Sequence, residues 1–548
     1  MVAAATVGCL TATRQDGVAS VDGRRARGVR VAEVLVGLSA VADLGMGQPV
    51  GSAARTCYLA VALARACGCD ESVAADVFLT ALLQHVGCTA YSHEASLLFA
   101  DELSIKSAAL VTDFDRPGEV LGGYLPRIVR EAPAGQRLRT ARGALLHGRA
   151  LEDGYSRANC EVASVLARRL GLSVGVQTGL LHIFEWWNGQ GRPHRLSGDD
   201  ISVAARIVNV AAVGALFDRL GGWHGATRAL RQRSGRLLDP AVVDVFTATA
   251  HEPLKELGEV DASDMLLGVE PSPAMTAPDA DLDDMLRAFG DAVDLKAPFL
   301  HGHSTGVARI ATATATALRL STDEVRDLGR AAYTHDLGRC AVPSGIWERT
   351  ATLGHQAWSQ IRLHAYHSEQ ILTRSATLAP LAGLAGAHHE RLDGSGYHRG
   401  TRAAQLSLPA RVLAVADVFQ ALTSDRPHRR AYPVDQAVVH LRQLARDRRL
   451  DADVVEATVG AVGAAGAAAG ARVARAAAGG RAGLTARQVE VLNLLTQGLS
   501  NRAIAARLTI SPRTAEHHIQ DVYARIGVSS RAAAAMYAME HGLLPQDW

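Results

Sequence analysis

Lysine is almost missing from this chain: of 57 basic residues only Lys106, Lys255 and Lys296 are lysines, so positive charge is carried by arginine. Aromatic residues make up 5%, and long Ala and Val runs take their place, a composition that leans toward helices. The seven cysteines show no Cys-x-x-Cys spacing and no regular framework, which argues against a disulfide scaffold or a zinc ribbon and fits a reducing cytoplasm. No basic segment precedes an apolar one at the N-terminus. The longest uncharged run, 457–471, is Ala and Gly and too weakly apolar to span a bilayer. The expectation is a cytoplasmic protein without membrane contact. A net charge of +2 removes any polyelectrolyte character from the whole, so nucleic-acid contact must be local.

What is present is length and helical pattern. At 548 residues the chain exceeds one core, and three all-α domains are expected. Residues 1–28 read as a loose tail and 29–255 as helical. Residues 256–281, with Pro271, Pro273 and Pro278, read as a linker. A second helical domain covers 282–463. An Ala/Gly tether with Arg472, Arg475 and Arg481 covers 464–483, and the last domain covers 484–548.

The first two domains look like copies. Glu185-Trp-Trp-Asn-Gly-Gln-Gly191 matches Glu390-Arg-Leu-Asp-Gly-Ser-Gly396 at an offset of 205, and Ala205-Arg206-Ile207 matches Ala410-Arg411-Val412 at the same offset. The polar residues differ. Ser52 stands for His303, Gln84 for His335, His85 for Asp336, Asn159 for His364, Ile183 for His388, Phe184 for His389 and Ala212 for Asp417. The first copy reads as a degenerate one that kept the scaffold and lost the chemistry.

In the second copy, Ser321-Thr-Asp-Glu324 forms a capping box for a helix that ends at His335-Asp336. Asp417 lies in the nearly all-apolar helix 409–422, where a buried carboxylate costs several kcal/mol unless it is paired. Arg411, Arg426 or a divalent metal shared with histidines could pair with it. Together His303, His335, Asp336, His364, His388, His389 and Asp417 offer five imidazoles and two carboxylates, enough for two octahedral ions.

The runs Thr334-His-Asp-Leu-Gly-Arg339, His388-His-Glu-x-x-Asp-Gly-Ser-Gly-Tyr397 and Ala416-Asp-Val-Phe-Gln-Ala-Leu-Thr-Ser-Asp-Arg-Pro427 resemble the HD superfamily of metal phosphohydrolases, and within it the HD-GYP branch. The resemblance covers about 282–460. It implies an all-helical domain that hydrolyses cyclic-di-GMP with iron or manganese, Asp336 bridging two metals and a bridging hydroxide attacking phosphorus. It also implies Gly394, Gly396, Tyr397, Arg426 and Arg429 against the substrate. Three positions depart from the family. Arg339 replaces a lysine and, while able to clamp phosphate, cannot release a proton near neutral pH. His398 replaces a proline, and Phe299 replaces the glutamate of trinuclear members, so two metals are expected. His301, His355, His367 and His398 are taken as surface or supporting residues.

In the last domain, Thr485-Ala-Arg-Gln488 is a capping box, Ser500 caps a short helix, and Ser511-Pro512 opens a third after a two-residue turn. That third helix presents Arg513, Thr514, His517 and His518, side chains suited to a major groove, while Arg502 is placed to meet phosphate. The stretch Leu484-Thr-x-Arg-Gln-x-Glu-Val-Leu through Ile526-Gly527-Val528 resembles the LuxR-type DNA-binding domain, with Glu516 where that family often has lysine. The combined expectation is a transcription regulator, a homodimer on duplex DNA, whose HD-GYP-like domain hydrolyses a cyclic dinucleotide. The alternatives are a nucleotide sensor without turnover and a phosphohydrolase of another nucleotide.

Overall fold

A computed structural model describes residues 28–99, 101–132, 135, 137–259, 262–463 and 483–544. The expected tail, except Gly28, and the expected tether, except Gly483, lie outside them. The described chain is helical, and its one sheet is a two-stranded antiparallel ribbon of Val29–Arg30 with Thr276–Ala277.

The helices start where side chains take up free backbone N–H groups. Asp70 accepts from Ser72 N and Val73 N to open Glu71–Leu83, Ser321 and Glu324 form a reciprocal box on Thr322–Thr334, and Ser407 caps Leu408–Leu422. The apolar stretch 71–89, with a mean hydropathy of 1.2, is 72% buried within the fold, as a core segment would be.

Two parts of the chain repeat one backbone scheme. The helices Ser52–Ala66 and His303–Ala317 each follow a left-handed glycine, Gly51 at φ 94° and Gly302 at φ 75°. An upstream carboxylate holds each start: Asp43 accepts from Ala53 N at 2.9 Å, and Asp294 from Ser304 N at 2.8 Å. Next, Glu71–Leu83 leads through Gln84 and His85 into a 3-10 turn, as Thr322–Thr334 leads through His335 and Asp336. A Cβ on Gly87 would stand 2.2 Å from the Asn159 carbonyl oxygen, and one on Gly338 would stand 2.0 Å from that of His364. Glu185 receives His194 N and Leu196 N at 2.6 and 3.0 Å, and Glu390 receives Arg399 N and Thr401 N, both at 2.8 Å.

The stretch expected as a linker is part of the folded body. Ala262–Val269 is a helix with Leu266 fully buried, and Thr276–Ala277 pairs with the strand at 29–30. Proline density there ends the helix without freeing the chain. One apolar core accordingly runs from Val31 through Leu286 and Phe289 to Leu337 and Leu381. Across it Lys296 Nζ lies 3.2 Å from Glu102 Oε1, both buried, and Glu102 also accepts from Ser344 N. The core of 484–544 likewise takes in Val162, Val165 and Leu295.

Candidate metal centre

His303 opens its helix, His335 and Asp336 follow the end of Thr322–Thr334, and His364 lies within His355–Leu372. His388 and His389 follow Ala379–Gly386, and Asp417 projects from Leu408–Leu422. All seven converge. Three overlapping sets, His303/His335/Asp417, His335/Asp336/His388 and His364/His388/His389, each bring their ligand atoms within 4.8 Å of one another.

Orientation is set from behind. The Nδ1 of His335 lies 2.7 Å from Ala332 O, that of His388 2.7 Å from Ala385 O, and that of His364 in contact with Ile361 O. A carbonyl only accepts, so each Nδ1 carries the proton and each Nε2 turns a lone pair inward. The Nε2 atoms of His364 and His388 then face one another at 3.1 Å, an arrangement of two acceptors that a shared cation relieves. Asp336 reaches both ways. Its Oδ2 is 3.0 Å from His335 Nε2 and 3.2 Å from His303 Nε2, while its Oδ1 is 3.3 Å from His364 Nε2 and 3.5 Å from His388 Nε2. Asp336 Oδ1, and Nε2 of His303 and His335, are buried without a hydrogen bond, while Asp336 Oδ2 has the Arg339 guanidinium beside it at 2.7 Å. A metal-ligand set fits these orphaned atoms.

The electrostatics agree with that fit. Burial disfavours the Asp336 carboxylate, but Arg339 and His335 outweigh it and hold its pKa far below the usual range. Burial opposes Asp417 in the same way, and His303 and His389 outweigh it. Burial pushes His388 down to about 4, and lowers His389 and His303. His335 is held upward by Asp336 against its burial. The centre is thus mostly neutral imidazoles around ionised carboxylates, the protonation that metal binding requires.

Residues 287–454 match the HD domain family model, and residues 482–538 match that of bacterial regulatory proteins of the luxR family. The chain is 32% identical to a 3'3'-cGAMP-specific phosphodiesterase of Vibrio cholerae over 416 residues, 74% of this chain and 89% of that protein. The chain belongs to the HD-domain cyclic-dinucleotide phosphodiesterases. This is a metal-dependent phosphohydrolase family. A crystal structure of a cyclic GMP-AMP specific phosphodiesterase of Vibrio cholerae superposes with a TM-score of 0.55 at 27% identity, covering 80% of this chain and 98% of that one. A cyclic di-GMP phosphodiesterase of Pseudomonas aeruginosa is 34% identical over 26% of this chain and 34% of its own length.

At the rim of this candidate metal centre, Arg339 Nη2 lies 2.7 Å from Asp336 Oδ2 and its guanidinium sits 5.1 Å above the Trp347 ring. Its Nε and Nη1 are buried and unpartnered. Arg426 packs on the Phe299 ring at 5.3 Å, and burial, with Arg339 beside it, brings it down to about 10. The Tyr397 ring lies 4.6 Å from that of His389. Gly394 serves the turn, at φ 79°, and a Cβ on Gly396 would stand 2.5 Å from the Glu390 backbone, so both shape the loop. Arg429 departs from the sequence expectation. It donates to Leu422 O at 3.1 Å and to Ala421 O, capping the end of Leu408–Leu422, where unsatisfied carbonyls attract a guanidinium. Sequence reasoning missed Glu390, which pins the 399–401 backbone, and Trp347, which carries Arg339. The repeat of Glu390 at Glu185 was the available signal for the first.

In the luxR-family segment the helices Ala486–Thr496, Asn501–Leu508, Pro512–Ile526 and Arg531–Glu540 begin at the caps Thr485, Ser500, Ser511 and Ser530. Arg502, Arg513, Thr514 and His517 are exposed and His518 half-buried, while Ala515, Ile519 and Val522 face inward.

Proposed function

We propose that this chain hydrolyses a cyclic dinucleotide at a two-metal centre and reads duplex DNA with its last domain. The observation that carries the reading is Asp336 with one oxygen toward His303 and His335 and the other toward His364 and His388. In this assignment His303, His335 and Asp417 would hold one ion and His364, His388 and His389 the other, with Asp336 shared between them. Iron or manganese suits such nitrogen and oxygen donors. When bound, the pair would lower the pKa of water and offset phosphate charge.

The chain's own side chains do the rest. Arg339, fixed by Asp336 and Trp347, turns its two spare N–H groups to the scissile phosphate, and Arg426 supplies a second guanidinium. Tyr397 offers a ring face to a base. Hydrolysis opens one P–O3' bond, water giving the oxygen to phosphorus and the freed sugar oxygen gaining a proton, and a linear dinucleotide results. Cyclic-di-GMP is one substrate to test, and similarity over most of the chain to a cGAMP-specific enzyme puts 3'3'-cGAMP beside it.

Residues 29–255 form the degenerate copy, and two chains pair on DNA. A second reading, nucleotide sensing without turnover, draws support from contacts linking the centre to the DNA reader: Gly302 N donates to Met539 Sδ at 3.2 Å, and His301 Nδ1 lies 2.7 Å from Thr496 O. Elemental analysis of the full chain should give about two divalent ions, and both dinucleotides should be assayed with wild type and Asp336→Ala. Linear product that persists in Asp336→Ala would sink the assignment, and binding without product would favour the sensor.

A further inference from the structure

A second cavity, of about 100 Å³, opens in the 29–255 copy between the helices Ser52–Ala66 and Val203–Arg233, lined among others by Gln48, Ser52, Arg55, Gln84, His85 and Arg219. Its place in the fold is that of the metal centre in the other copy. Ser52 opens its helix after a left-handed glycine as His303 does, and Gln84-His85 sit at the same helix end as His335-Asp336. Ala212, which stands for Asp417 in the repeat, also lines it.

The chemistry of the position is inverted. Both carboxylates that would hold a cation are gone, replaced by His85 and Ala212, and two guanidiniums have arrived. Arg219 donates only to neutral oxygens, Ser52 Oγ at 3.0 Å and Gln48 Oε1 at 2.8 Å, and no carboxylate lies within ion-pair distance of it among the described residues. Arg55 is paired with Asp218 at 3.3 Å, and its Nε is buried without a partner. His85 Nδ1, on the cavity wall, is buried and unpartnered as well. The remaining acid on the wall, Asp43, turns its oxygens to Gly51 N and Ala53 N.

We propose that this cavity binds a phosphate group, with Arg219 and Arg55 as its charged donors, as an anion site separate from the metal centre. Guanidinium forks match phosphate oxygens, and an unneutralised guanidinium over a cavity with spare donors favours a dianion. The phosphate belongs either to inorganic phosphate or to the 5' end of a nucleotide such as the linear product.

Hydrogen exchange on the full chain tests this, read on peptides covering residues 48–56, with inorganic phosphate, GMP and the linear guanosine dinucleotide as separate additions. Protection by inorganic phosphate identifies the free anion, and protection by the nucleotides alone identifies a terminal phosphate. Arg219→Ala, at an exposed position outside the metal centre, should shift the midpoint by about 10- to 100-fold, with partial recovery in Arg219→Lys. Asp336→Ala should keep the protection, which separates this site from the metal centre whatever the fate of the catalytic reading. No protection in any arm, or protection unchanged in Arg219→Ala, would overturn the proposal.

Discussion

Arg339 concentrates the chemistry that distinguishes this chain. A lysine at that position would bring an ammonium able to release a proton, whereas the guanidinium stays charged and can only bind. General-acid help is typically worth ~10²–10⁴-fold, so slow turnover is expected in the native chain and faster turnover in Arg339→Lys. Single-turnover rates with saturating dinucleotide check this. An unchanged or lower rate in the variant would mean that the leaving oxygen takes its proton elsewhere. A second residue-scale expectation concerns Asp43, whose burial raises its pKa from 3.8 to about 7 despite the hydrogen bonds from Ala53 N and Gly51 N. The folded state therefore keeps a proton that the unfolded chain has already released, and stability falls as pH rises from about 4 through 7, by at most ~4 kcal/mol. Asp43→Asn should flatten that slope in urea unfolding between pH 5 and 8, and an identical slope in both proteins would show that the group is solvated.

At the scale of elements, much was legible in the sequence because caps and ligands are local. The Ser321/Glu324 and Thr485/Gln488 boxes lie where their spacing puts them, and the seven candidate ligands meet because each sits at a helix end or on an inward face. Arg429 was not legible, since a basic residue past a helix reads the same whether it meets a substrate or the carbonyls behind it. The 256–281 stretch was misread for a related reason: proline count reports where helices stop, and the pairing of Thr276–Ala277 with Val29–Arg30 is made by residues about 247 positions away. For the helix Pro512–Ile526, the inward face of Ala515, Ile519 and Val522 leaves Thr514 and His518 outside the core. Thr514→Ala with His518→Ala should abolish a site-specific mobility shift at unchanged helicity by circular dichroism. Persisting specific binding in the double variant would place the reading surface on another helix.

The whole molecule is more integrated than three beads on a string. The core of 29–255 runs into that of 282–385, and the DNA-reading domain shares its apolar cluster with Val162 and Val165 of the first copy. It also touches the strip leading into the metal centre. His301 meets Thr496 O and Gly302 donates to Met539, both in the turn that places His303, and Arg287 of the helix Asp281–Asp294 donates to Met539 O at 3.1 Å. A ligand that shifts His303 therefore acts on a strip hydrogen-bonded to two helices of the reader, and coupling between sites has to be reciprocal in binding free energy. His301 is half-buried, and desolvation pushes its pKa down to about 4, so it is neutral and its Nδ1–H donates to Thr496 O. His301→Ala cuts that link and leaves the recognition residues untouched. In Mn-loaded full-length protein, addition of a non-hydrolysable phosphorothioate analogue of the cyclic dinucleotide should change the affinity for operator DNA, and His301→Ala should shrink that effect. Equal DNA affinity with and without nucleotide in the parent would show that the two sites share a body but not a signal.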